Sequence, residues 1–456
     1  MKILIIGGGI GGYVCAIRSA QLGNEVNLVE RKHIGGTCLN EGCIPTKAIL
    51  ESAEFYQNAR EADVYSVNVE GVSLDYQGVI ERKNAIVDQL VSGVRGLLRK
   101  NKVRLIEGEA KIIDGHRALI EGEELAFDSI VIASGSKPVV LPIEGIDLEG
   151  VIDSTKALTL DRLPQSIAII GGGVIGVEFA SFFHAFGAEV TIIEMMDRLV
   201  PPLDQDISQN LKEVYEKRGI AVHNSAKVLK IEKSAKGLKV YFEKAGQKQA
   251  VEAETVLVAT GRAPVTDVID QAEIKPEMNR RFIAIDENYR TSVDGLYAIG
   301  DVTGKSMLAH SAEEMGLRCA DILSGRKPRP IDYQRIPSCL YTNPEAASVG
   351  LTQVQAEEAG YKVAVGIFPL MANARTLILN QSANSFAKIV CDKETKEILG
   401  VHLFGPFATE MIAEASLAME LECTAQEIAD TIHPHPTVSE AIKEAASSLL
   451  DGAIHF

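Results

Sequence analysis

Two cysteines separated by four residues are the first candidates for chemistry in this sequence. Cys38 and Cys43 lie in the glycine-rich segment 35–47, Gly-Gly-Thr-Cys-Leu-Asn-Glu-Gly-Cys-Ile-Pro-Thr-Lys. Their spacing allows the two sulfurs to close a small ring, and Gly42 gives the backbone the freedom that closure needs. Pro45 suits the first turn of a helix, so Cys43 is expected at a helix N-terminus, where the dipole stabilises a thiolate. The segment therefore predicts thiol–disulfide chemistry.

The other cysteines are expected to be structural thiols. They are Cys15, Cys319, Cys339, Cys391 and Cys423. A chain of this length does not need a disulfide framework, and reducing compartments keep ordinary thiols reduced. No second cluster of Cys and His has the spacing of a metal site, so we expect no metal.

A general base could come from the segment 433–440, His-Pro-His-Pro-Thr-Val-Ser-Glu, which precedes a predicted helix. Either His433 or His435 could take a proton from a thiol. Thr437 and Glu440 have the T-x-x-E spacing of a capping box, but Glu440 could instead orient His435. The residues alone leave both choices open.

The sequence contains the pattern G-x-G-x-x-G twice, each time between an apolar strand and a helix. In each copy an acidic residue ends the strand that follows the helix. The glycines and the acid are Gly7, Gly9, Gly12 and Glu30 in the first copy, and Gly171, Gly173, Gly176 and Glu194 in the second. In this motif the first glycine allows a tight turn, the second admits a pyrophosphate, and the third lets helix and strand pack closely, while the acid binds a ribose hydroxyl. The two copies, at a constant offset of 164 residues, predict two dinucleotide sites.

The acid of the second copy indicates which nicotinamide cofactor the chain would bind. A 2′-phosphate beside Glu194 would be repelled, which favours NAD over NADP. Arg198 is a basic residue four positions further on, and one such residue is only a weak signal in the other direction.

The elements that must position these residues alternate between strand and helix. Strands are predicted at 2–6, 26–29, 130–133, 167–170, 190–193, 256–259 and 296–299, with helices at 13–22 and 177–186. After the proline-rich stretch 327–337, strands are predicted at 386–390 and 399–403 and helices at 409–421, 424–431 and 439–450. The pattern predicts an α/β protein with two Rossmann-like dinucleotide-binding domains and a C-terminal α+β domain.

Composition excludes several classes of function. The chain has 456 residues, 46% of them apolar, which is enough for two to four ordinary domains. Its net charge of −16 argues against nucleic acid as a partner. No apolar run approaches the ~20 residues that would cross a membrane. The N-terminus reads as a strand rather than as a targeting segment, so we expect a cytoplasmic protein or a mature chain whose targeting segment was removed.

In these motifs the chain resembles the flavoprotein disulfide reductases, also called class I pyridine nucleotide-disulfide oxidoreductases, and among them the dihydrolipoamide dehydrogenases. Two further fingerprints match, Ala-Thr-Gly-Arg at 259–262 and Tyr-Ala-Ile-Gly-Asp at 297–301. The resemblance implies FAD at the first glycine motif and NAD at the second. It implies four segments: FAD-binding 1–148, NAD-binding 149–270, a second FAD or central segment 271–336, and a dimerisation domain 337–456.

The resemblance also assigns roles to individual residues. It implies FAD contacts by Glu30, Thr37, Lys47, Ala110, Asp301 and Ala309. It implies NAD contacts by Gly173, Glu194, Val228 and residues 259–262, which include Gly261 and Arg262. Lys47 and Glu178 match an ion pair close to the flavin. Cys38 would be the interchange thiol and Cys43 the thiol facing the flavin. His435 would be the base and Glu440 its partner, both serving the active site of the other subunit of a homodimer.

The activity implied is oxidation of protein-bound dihydrolipoamide through the Cys38–Cys43 disulfide and FAD, with hydride transfer to NAD. The partners would be lipoyl-bearing proteins of 2-oxoacid dehydrogenase or glycine cleavage systems. One alternative is another NAD(P)H-dependent flavoprotein disulfide reductase. A glutathione-type reductase would have basic residues near Glu194, and a mercuric or large thioredoxin reductase would carry a C-terminal cysteine pair. A more distant alternative is a non-enzymatic flavin- or NAD-sensing subunit.

Two residues depart from the commonest pattern of these proteins. Pro434 stands where a small residue such as alanine is more frequent, and Glu41 puts a charge inside the redox loop. Neither residue touches a reacting group by sequence, and the two departures together bear on substrate preference and redox potential.

Overall fold

The computed structural model describes residues 1–381 and 384–456. The chain divides into two compact units, the first made of 1–48, 77–139 and 261–333 and the second of 49–76, 140–260 and 334–456. The boundaries predicted after residues 148, 270 and 336 divide the chain by the cofactor that each segment would bind, not by compactness. That division stays a prediction. Within the described part of the chain, no helix combines the length and the apolar character that crossing a membrane requires.

Helices and strands alternate in the first half of the chain, as the sequence pattern predicts. Residues 1–139 form β1 Lys2–Ile6, α1 Ile10–Gln21, β2 Glu25–Glu30, α2 Gly36–Asn40, α3 Cys43–Arg60, α4 Tyr76–Lys100, β3 Arg104–Glu107, β4 Ala110–Ile112, β5 Arg117–Ile120, β6 Glu123–Ala126, β7 Ser129–Ile132 and β8 Ser136–Pro138. Residues 140–260 form β9 Val151–Asp153, α5 Ser154–Ala157, β10 Ser166–Ile170, α6 Val174–Ala185, β11 Glu189–Ile193, α7 Gln205–Arg218, β12 Ala221–His223, β13 Ala226–Ser234, β14 Gly237–Lys244, β15 Gln247–Ala253 and β16 Thr255–Val258.

The second half begins with short strands and ends in longer ones. Residues 261–333 form β17 Arg262–Pro264, β18 Met278–Asn279, β19 Phe282–Ile283, β20 Leu296–Ala298 and α8 Ala309–Leu323. Residues 334–456 form β21 Ser338–Leu340, β22 Ala346–Gly350, α9 Gln353–Glu358, β23 Val363–Pro369, α10 Ala374–Ile378, β24 Phe386–Asp392, β25 Ile398–Phe404, α11 Ala408–Glu420, α12 Ala425–Asp430 and α13 Glu440–Ser447. Short 3₁₀ helices lie at Ala62–Tyr65, Asp267–Ile269, Gly300–Thr303, Tyr333–Arg335 and Leu370–Ala372.

The first unit is built on a parallel sheet with the strand order β20-β7-β1-β2-β3. Ile3 and Ile5 pack with α1 and α8, whereas Leu4 and Ile6 pack with β4 and β5. Both faces of β1 are therefore covered, which explains why its sequence lacks the alternation of a half-exposed strand. Because β2 and β7 flank β1, its carboxyl end lies at the switch point where such sheets open a ligand crevice.

The second unit repeats this arrangement with the parallel order β12-β11-β10-β16-β9. Ala168 and Ile170 of β10 pack against the antiparallel sheet β13-β14-β15. These two residues stand 164 positions after Leu4 and Ile6, whose face is covered by the antiparallel sheet β4-β5-β6. The repeat seen in the glycine motifs thus extends to the face on which each three-stranded sheet packs.

The C-terminal part of the second unit is the predicted α+β structure. Its antiparallel sheet has the order β21-β22-β25-β24-β23. Helices α11 and α13 pack on one face of this sheet and bury a core that includes Val401, Leu403, Met411 and Ile442. The predicted α/β class, with two dinucleotide-binding folds and C-terminal α+β structure, is confirmed.

A buried ion cluster holds the start of α7 against the C-terminal sheet within the second unit. The Lys388 ammonium lies 2.9 Å from Asp204 Oδ1 and 2.6 Å from Asp206 Oδ2, and Lys388 and Asp204 are almost fully buried. Burial acts to raise the pKa of the Asp204 carboxyl, but the neighbouring His402 and Lys388 outweigh it and lower that pKa. The Asp204 carboxylate therefore keeps its charge in a buried site because cationic groups lie beside it.

We expect Lys388→Met to lower the free energy of unfolding by about 3–5 kcal/mol, because it leaves the Asp204 carboxylate buried without its cation. Urea unfolding followed by circular dichroism measures the change. Lys362→Met is the matched control, since Lys362 pairs with Glu394 on the exposed surface of the same unit. It should cost less than about 1 kcal/mol. Equal effects of the two substitutions would contradict a structural role for the buried charge.

Candidate redox active site

The redox loop lies directly on the first glycine turn. Gly35 N donates to Gly8 O at 2.8 Å, and Gly9 and Gly35 form a parallel β-bridge. A Cβ atom on Gly36 would fall 2.6 Å from the Gly9 Cα. A side chain at Gly36 would therefore collide with the backbone of the glycine turn. The close contact between the two backbones sets the position of the cysteines that follow.

Two short helices carry the sulfurs. Cys38 lies in α2 and Cys43 is the first residue of α3, as the position of the proline two residues later predicts. Asn40 closes the loop between them, because its amide donates to Ile34 O at 3.0 Å and to Gly36 O at 2.9 Å. Asn40 was not among the residues that the sequence singled out, although it stands inside the motif.

The two thiols hydrogen-bond with each other. That hydrogen bond, followed by burial, raises the pKa of the Cys38 thiol well above its usual range, while Lys47 acts in the opposite direction. Cys38 therefore keeps its proton while Cys43, at the helix N-terminus, is placed to carry the thiolate. The structure brings the predicted pair together in the form of a dithiol.

A network of hydrogen bonds connects the redox loop with Asp301, which is predicted to contact FAD. Arg262 Nη2 donates to Thr37 Oγ1 at 3.2 Å, and Arg262 Nε donates to Ser136 Oγ at 2.7 Å. Ser136 Oγ in turn donates to Asp301 Oδ2 at 2.5 Å. Sequence reasoning missed Ser136, whose only signal was the Ser-Gly turn just before it. The Arg262 guanidinium therefore lies beside Thr37, a residue predicted to contact FAD. The predicted contact of Arg262 with NAD stays a prediction.

A cleft opens at the carboxyl end of β1 and is lined by Gly7, Glu30 and Ala110. Glu30 Oε2 accepts a hydrogen bond from Gly8 N at 2.7 Å, and Oε1 accepts one from Lys32 N at 2.7 Å. The carboxylate is thus fixed at the mouth of the cleft, where the ribose of a dinucleotide would meet it. The residues present fit such a group.

Two other residues predicted to contact FAD lie at the N-terminal ends of helices. Lys47 is in the second turn of α3, and Ala309 is the first residue of α8. A helix N-terminus presents unpaired N–H groups to an anionic ligand. This position is compatible with the predicted FAD contact of Ala309, whereas Lys47 lies beyond the unpaired N–H groups of α3 and would contact FAD through its side chain. Both contacts stay predictions.

The second glycine turn has the same construction. Glu194 is buried, and its carboxylate accepts from Gly172 N at 2.5 Å and from Met196 N at 2.7 Å. Among the described residues no protein atom lies within 4 Å of a Cβ placed on Gly173. Thr260 Oγ1 is buried with no hydrogen-bond partner in the described part of the chain. The open space at Gly173 and the unpartnered Thr260 hydroxyl are both features that fit a second bound dinucleotide.

The remaining predicted cofactor residues are placed as follows. Glu178 is buried in α6, where its Oε1 accepts from Tyr341 N at 3.1 Å. Val228 lies in β13 and packs against the core beneath the second parallel sheet. The Lys47–Glu178 ion pair and the NAD contacts of Val228 and Gly261 stay predictions.

The Glu440 carboxylate performs both tasks that the sequence left open. Its Oε1 lies 2.8 Å from His435 Nδ1, and its Oε2 accepts from Thr437 N at 2.8 Å. Burial acts to raise the pKa of Glu440, but the hydrogen bonds from Thr437 and His435 outweigh it and lower that pKa. Because a carboxylate only accepts, His435 Nδ1 carries the ring proton and Nε2 carries the lone pair. The predicted capping box is not formed, because α13 begins at Glu440 with Ser439 as its N-cap. Only the bond from Thr437 N to Glu440 is present, and the Thr437 hydroxyl donates to Pro434 O instead.

The structure also distinguishes the two histidines. His433 Nε2 lies 2.8 Å from Glu414 Oε1 and Nδ1 lies 3.1 Å from Thr431 O, so both ring nitrogens face acceptors. Its side chain is 4% exposed, whereas the His435 side chain is 71% exposed. Only His435 therefore presents a nitrogen that can take a proton from a substrate.

Comparison with known protein families agrees with this geometry. Residues 1–316 match the family described as pyridine nucleotide-disulphide oxidoreductase, and residues 336–446 match its dimerisation domain. A dihydrolipoyl dehydrogenase of Bacillus subtilis (strain 168) is 43% identical and covers 100% of this chain and 99% of its own length.

Solved structures agree as well. The crystal structure of LpdA from Mycobacterium tuberculosis superposes with a TM-score of 0.91 at 26% identity, covering 99% of this chain and 100% of that one. The HOCl-induced flavoprotein disulfide reductase RclA from Escherichia coli gives a TM-score of 0.87 at 30% identity, with 98% and 99% covered. FAD and NAD are the cofactors of this chain.

We expect Gly173→Ala and Gly176→Ala to separate cofactor binding from folding. A Cβ on Gly176 would lie 1.9 Å from Gly171 O, so that variant should unfold at lower temperature. A Cβ on Gly173 meets open space and should leave the melting temperature unchanged while blocking the pyrophosphate. Titration calorimetry should then show NAD affinity lowered by about tenfold, or roughly 1.4 kcal/mol. Unchanged NAD affinity in Gly173→Ala would remove this turn from the NAD site.

Proposed function

The chain belongs to the pyridine nucleotide-disulphide oxidoreductase family, and we propose that it oxidises dihydrolipoyl groups on carrier proteins to lipoyl disulfides while reducing NAD. It is an NAD-dependent flavoprotein disulfide oxidoreductase. The observation that carries the proposal is the contact between the Cys38 and Cys43 thiols at the start of α3, on a loop docked against the first glycine turn. The identity with dihydrolipoyl dehydrogenases over the whole chain supports the choice of substrate.

The two cysteines act in sequence. A substrate thiolate attacks Cys38 Sγ, the Cys38–Cys43 bond breaks, and Cys43 leaves as a thiolate that the N-terminus of α3 stabilises. The second substrate thiol then attacks the mixed disulfide, which releases the lipoyl disulfide and leaves the cysteine pair reduced by two electrons. Bound FAD supplies the acceptor for those electrons, and NAD supplies the final hydride acceptor.

His435 handles the protons. Its Nε2 takes the proton of the first substrate thiol, and the Nδ1–H remains hydrogen-bonded to Glu440. The proton of the second substrate thiol passes to the departing Cys38 sulfur, which leaves Cys38 as a thiol and Cys43 as a thiolate. Because the pKa of Glu440 is lowered, its carboxylate stays charged below the usual titration range of a glutamate. The imidazolium formed after proton transfer is therefore stabilised by a negative charge 2.8 Å away.

The match to a dimerisation domain supports a homodimer. Exposed apolar side chains near the base agree with an interface there, among them Leu417, Leu421 and Ile432, which is 91% exposed. We propose that His435 of one subunit serves Cys38 of the other. The carrier proteins would be lipoyl-bearing components of 2-oxoacid dehydrogenase or glycine cleavage systems. A reducing compartment such as the cytoplasm suits a chain that keeps its structural cysteines as thiols.

The purified protein should be yellow and should reduce NAD when given dihydrolipoamide. Cys43→Ser should keep bound FAD, because serine is similar in size and every residue predicted to contact FAD is retained, and should lose turnover by more than about 10³-fold. Absorbance of the flavin and of NADH measures both. Cys423→Ser, which changes a thiol packed beside the C-terminal core, should keep turnover. Normal turnover in Cys43→Ser would exclude that sulfur from the reaction.

We expect His435→Gln to lower kcat by about 10²- to 10⁴-fold, because glutamine cannot take the substrate proton at that position. His433→Gln is the control and should have a much smaller effect, since its nitrogens are occupied by Glu414 and Thr431. Stopped-flow reduction of the flavin by dihydrolipoamide measures the step directly. A larger loss in His433→Gln would reverse the assignment of the base.

Mixed dimers test which subunit supplies the base. Subunits carrying Cys43→Ser are exchanged with subunits carrying His435→Gln. If each site combines Cys38 and Cys43 of one subunit with His435 of the other, one site of every mixed dimer has all its residues and activity returns. If each site used a single chain, mixed dimers would stay inactive.

A further inference from the structure

We infer that the ion pair between Lys32 and Glu41 sets the dithiol–disulfide equilibrium of Cys38 and Cys43, an inference that rests on the proposed use of this pair as the redox centre. Glu41 lies three residues after Cys38 and two residues before Cys43. Its carboxylate pairs with the Lys32 ammonium. Glu41 is thus the acidic residue of the redox loop, and Lys32 is its counter-charge.

The Glu41 carboxylate is held in place by both backbone and side-chain contacts. Glu41 N donates to Thr37 O at 2.8 Å at the end of α2, which fixes the backbone immediately beside the first cysteine. The Glu41 side chain is only 22% exposed, so most of it is withdrawn from water. A partly buried charge acts more strongly on its neighbours than an exposed one, because solvent screens it less.

Lys32 is positioned by the acid of the first nucleotide site. Glu30 Oε1 accepts hydrogen bonds from Lys32 N at 2.7 Å and from His33 N at 3.2 Å, while Oε2 accepts from Gly8 N. The carboxylate that lines the nucleotide cleft therefore fixes the backbone from which the Lys32 side chain reaches Glu41. One chain of contacts joins the cleft to the redox loop.

The charge balance gives the direction of the effect. Reduction breaks the Cys38–Cys43 bond, adds two electrons from the substrate dithiol, and leaves one thiol and one thiolate where the disulfide was neutral. Without its partner, the Glu41 carboxylate would repel that new negative charge and disfavour reduction. The Lys32 ammonium offsets this repulsion. Lys47 favours the thiolate independently, since it acts to lower the pKa of Cys38.

Two substitutions should therefore shift the equilibrium in opposite directions. Glu41→Gln leaves Lys32 unopposed and should favour the reduced pair by roughly three- to tenfold. Lys32→Met keeps the apolar stem, leaves Glu41 unopposed, and should favour the disulfide by a similar factor. The double variant should return close to the parent. A tenfold change corresponds to about 30 mV in this two-electron couple.

The measurement uses the FAD-loaded protein equilibrated in known ratios of reduced and oxidised dithiothreitol. Acid quenching, alkylation and mass spectrometry then give the reduced fraction of the Cys38–Cys43 peptide. Arg95→Met is the control, because it removes a cation paired with Glu107 in the same unit, outside the redox loop. It should leave the equilibrium unchanged. The opposite shifts should shrink in high salt.

The outcomes separate this inference from the proposed function. Unchanged equilibria in both single variants, or shifts in the same direction, would overturn the electrostatic role, since loosening of the loop affects both variants alike. The dithiothreitol titration needs no lipoamide. A parent protein that fails to reduce NAD with dihydrolipoamide therefore counts against the substrate, whereas the direction of the shifts still decides the role of Lys32 and Glu41.

Discussion

The contact between two glycine-rich backbones is the constraint on which the rest of the site depends. The redox loop packs on the first glycine turn. Gly35 N donates a hydrogen bond to Gly8 O, and the backbones of Gly36 and Gly9 are in close contact. No side chain mediates this contact, so its geometry is set by the sheet and not by rotamers. The cysteines are therefore placed relative to the nucleotide turn with the precision of the secondary structure.

Much of this arrangement can be predicted from the sequence because its physical causes are local. The third glycine of each motif, at Gly12 and Gly176, is required by a backbone oxygen within 2 Å of where a Cβ would stand. The uninterrupted apolar run of β1 predicts a strand covered on both faces, and the repeat after 164 residues predicts a second copy. Cys43 is at a helix start as its distance from Pro45 indicates.

Other features depend on contacts between residues far apart in the chain, and the sequence could not predict them. Ser136 joins Arg262 to Asp301 over more than a hundred residues, and no motif marks it. The choice between His433 and His435 needed the position of Glu414 on another helix. The antiparallel sheets β4-β5-β6 and β13-β14-β15 differ in strand length, with 3 to 4 residues per strand in the first and 7 to 9 in the second. Their packing on equivalent faces of the two parallel sheets depends on contacts between distant residues, so no local pattern predicts it.

The two hydrogen bonds of the Glu440 carboxylate link the start of α13 to the orientation of His435. One oxygen of this carboxylate secures the first residues before α13 and the other aligns the imidazole, so a protomer whose last helix has not yet formed holds an unaligned base. The start of α13 and the orientation of the proposed base thus depend on one side chain. A protomer in which the start of α13 frays would therefore lose the hydrogen bond that orients the proposed base, while the loop that carries Cys38 and Cys43 keeps its own contacts.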